Sequence, residues 1–435
     1  MKIKIEKTGI NGEGIGYFKN KPIFIASTLP QEIVEAEIVL EKDKYAIADC
    51  LRIVEKSPKR VEAACPVQDR CGGCALMITD VKHQEKLKIS NLKQSLLKYM
   101  GKFDFRLISK IHSNPQPYYY RNQCKHPMKM EKKRLVAGFY KAGTNHFVSI
   151  NQCIVHDDDL EVAKNAIVNL LNKHRCVDFD PPTQQGIRTL IVRRMGDEIQ
   201  VTIVSGKMSL EQRLIDDIMK VKNVTSLYHS VNTDRHAMDP FGKRLVHVAG
   251  KETLDFEFED LKFSLNPKAF FQLNTHQASL LFKAVSDLVP SDKRVVDAYC
   301  GIGALSLLLA KKSKYVTGIE FSQDAIDSAN VNAKLNHIDN INFIVGDAAQ
   351  KLSSLSTEVD VLVIDPPRSG LSDEMIKTIL NQSIKDIVYI SCNPSTLAKN
   401  LNDLKSKYKI KQIQPFDLFT HTPLLETVVH LERIK

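Results

Sequence analysis

The chain has 435 residues, 43% of them hydrophobic and 26% charged, which describes a globular protein with a core to bury and excludes a disordered one. Lys and Arg number 61 against 51 Asp and Glu, a formal charge of +10 that favours a polyanionic partner without requiring one. No run approaches ~18 consecutive apolar residues, which excludes a membrane-spanning helix.

The start, "MKIKIEKTGI", lacks an apolar stretch of signal-peptide length, so a cytoplasmic protein is expected. Its nine cysteines then call for packing, metal or catalysis rather than disulfides.

Residues 1–56 alternate apolar and polar in short segments such as "MKIKIEKT" and "EIVEAEIVL", the pattern of a small β-barrel. Gly12, Gly14 and Gly16 suggest a phosphate loop at first sight, but they lead into a strand rather than a helix N-terminus. A tight turn or bulge is the expected use.

Pro58, Lys59 and Arg60 read as a linker into an α+β region spanning residues 57–265. Cys65, Cys71 and Cys74 have C-x5-C-x2-C spacing in "CPVQDRCGGC", close enough to wrap one metal centre with a fourth ligand from elsewhere. Four thiolates suit either zinc or an iron–sulfur cluster. A helix follows, with Leu87, Leu92, Leu96 and Leu97 as its apolar face. The stretch "YYYRNQCKH", Tyr118 to His126, mixes aromatic and basic residues and reads equally as an RNA contact or a half-buried strand. Cys50, Cys124, Cys176 and Cys300 read as packing residues.

From residue 266 to 435, apolar strands alternate with helices, which predicts a doubly wound parallel α/β sheet with a late antiparallel strand allowed. Ligands in such sheets sit outside the carboxyl ends of the strands. The first strand ends in "DAYCGIGALSL", where Gly301 and Gly303 permit a tight turn close to a ligand. Glu320 follows the second strand, at the distance where a carboxylate takes ribose hydroxyls. Asp347 follows the third, placed for an adenine amino group, and Asp365 of "DPPRSG" follows the fourth. The acidic ring and the missing third glycine disfavour a dinucleotide. They suit the cationic, adenosine-bearing S-adenosylmethionine.

Cys392 closes the next strand in "IVYISCNPST". Methyl transfer to oxygen or nitrogen needs no thiol. Transfer to carbon 5 of a pyrimidine does, because a thiolate must first add to carbon 6, and a base must later remove the carbon-5 proton. Glu426 in "FTHTPLLETVVHL" is the candidate base. A base-amino methyltransferase would carry D/N-P-P-Y/F, whereas this chain has "DPPRSG". A non-catalytic RNA-binding assembly factor would be expected to have lost one of these groups.

These motifs resemble the RNA 5-methyluridine methyltransferases, the uracil-5 group acting on ribosomal and transfer RNA. "DPPRSG", residues 371–386 and then "IVYISCNPST" match the nucleophile signature of that family, and "FDLFTHTPLLE" is similar to its second signature. It departs at Thr420, where Pro is usual, and at Leu424, where His is usual. The resemblance implies that Cys392 is the nucleophile and Glu426 the proton-abstracting base. It implies cofactor contacts at Gln272, Tyr299, Glu320 and Asp365, with Phe270 or Phe271 stacking on the target uracil. It further implies that the barrel is a TRAM domain, that Cys153 is the fourth cysteine ligand, and that the centre is a [4Fe–4S] cluster. Barrel and cysteines together look like the 23S ribosomal RNA branch, with transfer RNA as the alternative; a monomer is the default expectation.

Overall fold

The computed structural model describes residues 1–434 apart from 142, 235 and 238. By compactness the chain divides into two units, one made of Met1–Pro117 with Asp365–Lys435 and the other of Tyr118–Ile364.

The first unit opens with β1 (Lys2–Thr8), β2 (Gly14–Phe18), β3 (Lys21–Ile25), β4 (Ile33–Glu41) and β5 (Ala46–Glu55), a closed barrel of order β1-β2-β3-β5-β4. Successive side chains point in and out, so alternate residues such as Ile3, Ile5, Ile23, Ile25 and Val34 fill the interior. Gly12 turns the chain at a φ of +89°, and the β1–β2 ladder slips between Ile5 and Lys7. Opposite that bulge the backbones come close: a Cβ on Gly16 would stand 2.6 Å from the Lys4 carbonyl oxygen.

Next come the single-turn α1 (Gln68–Cys71) and the long α2 (Val81–Met100), which starts where Asp80 accepts a hydrogen bond from the His83 amide at 2.9 Å. Leu92 and Leu96 are fully buried, whereas Leu97 is exposed. One residue advances the helix by about 100°, so Leu97 leaves the face that Leu92 and Leu96 share.

The second unit begins with β6 (Gln123–Glu131), β7 (Arg134–Tyr140), β8 (Phe147–Ser149), α3 (Asp158–Lys173), β9 (Ile187–Met195), β10 (Glu198–Ser205), α4 (Gln212–Met219), β11 (Val224–Val231) and β12 (Arg244–Gly250). The strands form a sheet of order β12-β11-β10-β9-β6-β7-β8, antiparallel except between β10 and β11. Leu160 and Ile167 of α3 and Leu214 and Ile218 of α4 pack with Leu190 and Val192 in one apolar core. A hairpin of β13 (Leu254–Phe258) and β14 (Leu261–Leu265) follows, then α5 (Thr275–Leu288). The alternating elements β15 (Arg294–Ala298), α6 (Ala304–Ala310), β16 (Tyr315–Glu320), α7 (Gln323–Leu335), β17 (Ile341–Val345), α8 (Ala348–Ser353) and β18 (Val361–Ile364) complete it. Their strands are all parallel, in the order β17-β16-β15-β18, as strand–helix alternation requires. Val361 to Ile364 are all buried, which is why that strand reads as an unbroken apolar run.

The chain then returns to the first unit with α9 (Asp373–Asn381), β19 (Asp386–Ser391), α10 (Pro394–Leu404), β20 (Tyr408–Phe416) and β21 (Glu426–Arg433). β21 lies antiparallel between β19 and β20. α10 packs on α2, where the Ser395 hydroxyl donates to Tyr99 at 3.3 Å. The segment after α2 runs beside β20: the Ser109 and His112 amides donate to the Ile413 and Pro415 carbonyls at 2.8 Å. Among the described residues no helix is long and apolar enough to cross a membrane.

Gly16→Ala tests the close approach in the barrel. Overpacking there costs ~1–3 kcal/mol. Amide hydrogen exchange in Lys2–Thr8 and Gly14–Phe18 accelerates accordingly, while exchange in Arg294–Ala298 is unchanged.

Candidate active site

In the second unit, the parallel register brings the expected cofactor residues to one edge. Ala298 pairs with Ile319 and Glu320 with Val345, so Tyr299, Glu320 and Asp347 leave three adjacent strand ends together. Burial raises the Tyr299 hydroxyl pKa, and the charges of Asp347 and Glu320 raise it further. Glu320 is already oriented: its carboxylate accepts from the Gly301 amide at 3.2 Å and the Ser322 amide at 3.0 Å. A carboxylate has about four lone-pair sites, so acceptor capacity remains for a diol. Asp347 caps α8 by accepting from the Gln350 amide at 3.0 Å. The Gln272 carbonyl accepts from the Asn122 side chain at 3.0 Å, which fixes the backbone of "NPKAFFQLN" beside β6. In that stretch Phe271 is 6% exposed and packs edge-on against Phe256 and Phe258, so it is core. Phe270 is 64% exposed and is the ring left to stack on a base.

In the first unit, β19 and β21 bring the thiol and the acid together. The antiparallel ladder ends with Ser391 opposite Thr427, so Cys392 and Glu426 are the next residues outward on neighbouring chains, and the Glu426 charge acts on the thiol. Asn393 caps α10 immediately after the thiol, accepting from the Ser395 amide at 3.0 Å, and Pro394 takes the first helical position. Cys392 is therefore held between the end of a strand and the start of a helix.

The "DPPRSG" loop is fastened to the same helix. Asn393 and Thr396 both donate to the Arg368 carbonyl at 3.2 Å. Asn400 accepts from the Leu371 amide and the Tyr389 hydroxyl, each at 2.9 Å. Gly370 sits at a φ of +78°, with Asn400 2.5 Å from where a Cβ would stand, so only glycine fits. This fastening sets the charges around the thiol. Burial pushes the Cys392 pKa up to about 11, with Glu426 and Asp365 adding to the rise and Arg368 opposing it. Burial also carries Glu426, 7% exposed, well above the usual carboxylate range; Asp365 raises it further and Arg368 lowers it. Burial and the neighbouring carboxylates thus disfavour the charged form of both groups.

The loop before Glu426 is locked from beneath. Lys88 and Asp417, both fully buried, form an ion pair at 2.5 Å, and Lys88 also donates to the Phe419 carbonyl at 3.0 Å. The Thr420 hydroxyl donates to Asp417 at 3.0 Å and accepts from Asn114 at 3.1 Å. Thr420, one of the two departures from the signature, thus contributes two buried hydrogen bonds that proline could not make. His421 donates its amide to Gln84 at 2.9 Å. Leu424, the other departure, donates its amide to the Thr422 hydroxyl at 3.3 Å.

The family model for tRNA (uracil-5-)-methyltransferases matches residues 84–434, and the TRAM domain model matches residues 1–51. This chain belongs to the RNA uracil-5 methyltransferase family. Its methyl donor is S-adenosylmethionine and its substrate is RNA. A Bacillus cereus relative described as an uncharacterized RNA methyltransferase is 34% identical over 99% of this chain and 96% of its own length. One from Enterococcus faecalis, described in the same words, is 35% identical over 100% of this chain and 97% of its own. The Pyrococcus abyssi tRNA (uracil-54, C5)-methyltransferase, solved with S-adenosyl-L-homocysteine, is 26% identical with a TM-score of 0.80, covering 99% of each chain.

The residues that sequence reasoning missed are those that surround Cys392 and Glu426. Arg368 lay inside a quoted motif, but its electrostatic role depends on its placement beside Cys392 and Glu426. Lys88 and Asp417 are 329 residues apart, and nothing local pairs them. Of the expected metal ligands, Cys71 carries a thiol raised by burial and by the charge of Cys65, and the Gly73 amide donates to it. Gln68 donates to the Cys74 carbonyl at 3.2 Å. Among the described residues these thiols do not converge as a set of metal donors; Cys65, Cys71 and Cys74 share one short segment. Cys153 lies in the second unit, and its amide donates to Glu161 at 3.1 Å.

The charge on Arg368 is open to test. Alkylation of Cys392 by iodoacetamide follows the thiolate fraction. In Arg368→Gln the stabilising charge is gone and the thiol pKa rises, so the alkylation profile shifts to higher pH. An unmoved profile would remove Arg368 from the electrostatics of the thiol.

Proposed function

We propose that the protein methylates carbon 5 of uridine in 23S ribosomal RNA through a covalent Cys392 adduct, with Glu426 as the base. The observation that carries this reading is the antiparallel register that sets Cys392 beside Glu426. S-adenosylmethionine, when bound, supplies a methyl group on a positively charged sulfur. The residues assigned to hold it are Gln272, Tyr299, Gly301, Glu320, Asp347 and Asp365.

The target base must leave its stack or be unpaired to reach a half-buried thiol, and exposed Phe270 offers a face for it. The Cys392 thiolate adds to uracil carbon 6, and the electron pair moves onto carbon 5 and the carbonyl oxygen as an enolate. The electron pair on carbon 5 then takes the methyl group; the carbon–sulfur bond breaks and its pair stays on the donor sulfur, which leaves as a neutral thioether. Glu426, ionised at this stage, removes the remaining carbon-5 proton. The freed pair re-forms the ring double bond and expels Cys392 as thiolate. A carboxyl raised towards neutrality is a stronger base than an ordinary one, which suits this last step. Arg368 stabilises the thiolate at both ends of the cycle.

Cys65, Cys71, Cys74 and Cys153 are assigned to a [4Fe–4S] cluster, which is expected to hold RNA-facing loops rather than to do redox work. Barrel and cysteine set together favour the 23S branch. A transfer RNA substrate is the second reading, favoured by the Pyrococcus abyssi enzyme, whose likeness spans 99% of this chain, the barrel included.

The test uses unmodified 23S ribosomal RNA and unmodified transfer RNA with S-adenosylmethionine, mapping methyl groups by fragment mass. Methyl at carbon 5 of 23S uridine is expected; methyl on transfer RNA alone would replace the substrate and keep the chemistry. Cys392→Ala abolishes transfer. Glu426→Gln blocks proton removal, so a denaturation-resistant protein–RNA adduct accumulates, and its absence would remove Glu426 as the base. Anaerobically purified protein is expected to be brown and to hold about four iron atoms.

A further inference from the structure

A second donor set lies in the sheet of the second unit, apart from the C-x5-C-x2-C loop. Cys124 and His126 stand two apart on β6, so both side chains leave the same face of the strand. His156 reaches them from the loop before α3; the segment carrying it is bridged to Arg121, just ahead of β6. One donor atom from each of Cys124, His126 and His156 lies within 4.8 Å of the others, and all three residues are buried. Tetrahedral ligands at zinc bond lengths of ~2.0–2.3 Å stand roughly 3.3–3.8 Å apart, so small side-chain movements close the set around an ion.

The ring nitrogens decide what this cluster is for. His126 Nδ1 is 3.2 Å from the Gly138 carbonyl, which can only accept, so that nitrogen carries the proton. Nε2 is then a lone pair. It is buried on a residue of 0% exposure, and among the described residues it has no hydrogen-bond partner. A histidine retained only for packing would be expected to satisfy both nitrogens or to be replaced by an apolar ring. His156 repeats the arrangement: its Nδ1 lies 2.8 Å from Glu161 Oε1, which leaves the other nitrogen for a ligand. Histidines that bind metal almost always donate the second ring N–H to a carboxylate or a backbone carbonyl, and here one does each. Glu161 is itself held by Lys164 at 2.7 Å.

We propose that Cys124, His126 and His156 bind a zinc ion that fastens the Cys153–His156 loop to β6. One thiolate and two imidazoles match zinc in donor type better than the oxygen-loving divalent ions. Glu161 links the two functions of that loop, since it supports His156 through one oxygen and the Cys153 amide through the other.

The test is metal analysis of the full-length protein expressed with both zinc and iron and purified without chelator. About one zinc per chain is expected. It is retained in Cys71→Ser, where iron falls, and drops at least fivefold in His126→Gln and Cys124→Ser. Because either of those variants can misfold, the second measurement uses the unmutated protein with cobalt in place of zinc. It shows the intense visible bands of tetrahedral cobalt, with a charge-transfer band of single-thiolate strength. Wild-type protein that holds no zinc and gives no such spectrum overturns the site. So does zinc that survives both variants and disappears with Cys71→Ser, or a charge-transfer band of three- or four-thiolate strength, since each places the metal on the other cysteines.

Discussion

The pairing of Ser391 with Thr427 is the constraint on which the placement of Cys392 and Glu426 depends. Strand register is an all-or-none property: a slip of one residue would turn Cys392 or Glu426 to the opposite face. The surroundings hold that register from several directions. α10 begins at once after the thiol, the "DPPRSG" loop is tied to α10 through Asn393, Thr396 and Asn400, and a buried ion pair lies under the loop that leads into β21. Removing one partner of such a pair leaves a buried charge uncompensated, at a cost of about 3–5 kcal/mol. The positions of Cys392 and Glu426 are thus over-determined by several independent contacts.

The electrostatics follow from the same placement. A thiol and a carboxyl side by side, largely out of water, cannot both ionise easily. Each is raised by burial and by the negative charges around it. The Arg368 charge opposes both rises.

Much of this was legible in the sequence because the signals are local. Short, largely apolar runs of four to six residues, ending in Glu320 or followed within two residues by Tyr299, Asp347 or Asp365, announce parallel strands and their carboxyl edge. Glu320 and Asp347 could be read as a set for that reason. The in–out alternation of residues 1–56 likewise announces a barrel. What the sequence hides are partners chosen across distance. Hydrophobic periodicity says which face is buried, but not what a buried lysine meets, so the pair of Lys88 with Asp417 was invisible. Cys124 and His126 look like ordinary strand residues until the fold brings His156 beside them. Thr420 looked like a defect in a signature, because the hydroxyl's two hydrogen-bond partners are Asn114, far away in the chain, and Asp417, which is itself placed by Lys88.

The division of the chain has a consequence for its synthesis. The unit of residues 118–364 is continuous, whereas the unit that carries the thiol is assembled from residues 1–117 and 365–435. A ribosome therefore delivers the barrel first, then all of residues 118–364 with Tyr299, Glu320 and Asp347, and only afterwards Asp365 and the strands that carry Cys392 and Glu426. Early folding can proceed through local contacts, while closure of the discontinuous unit must wait for its second segment. A nascent chain can thus align Tyr299, Glu320 and Asp347 well before Cys392 has emerged. The thiol beside its carboxyl is the last arrangement the polypeptide acquires.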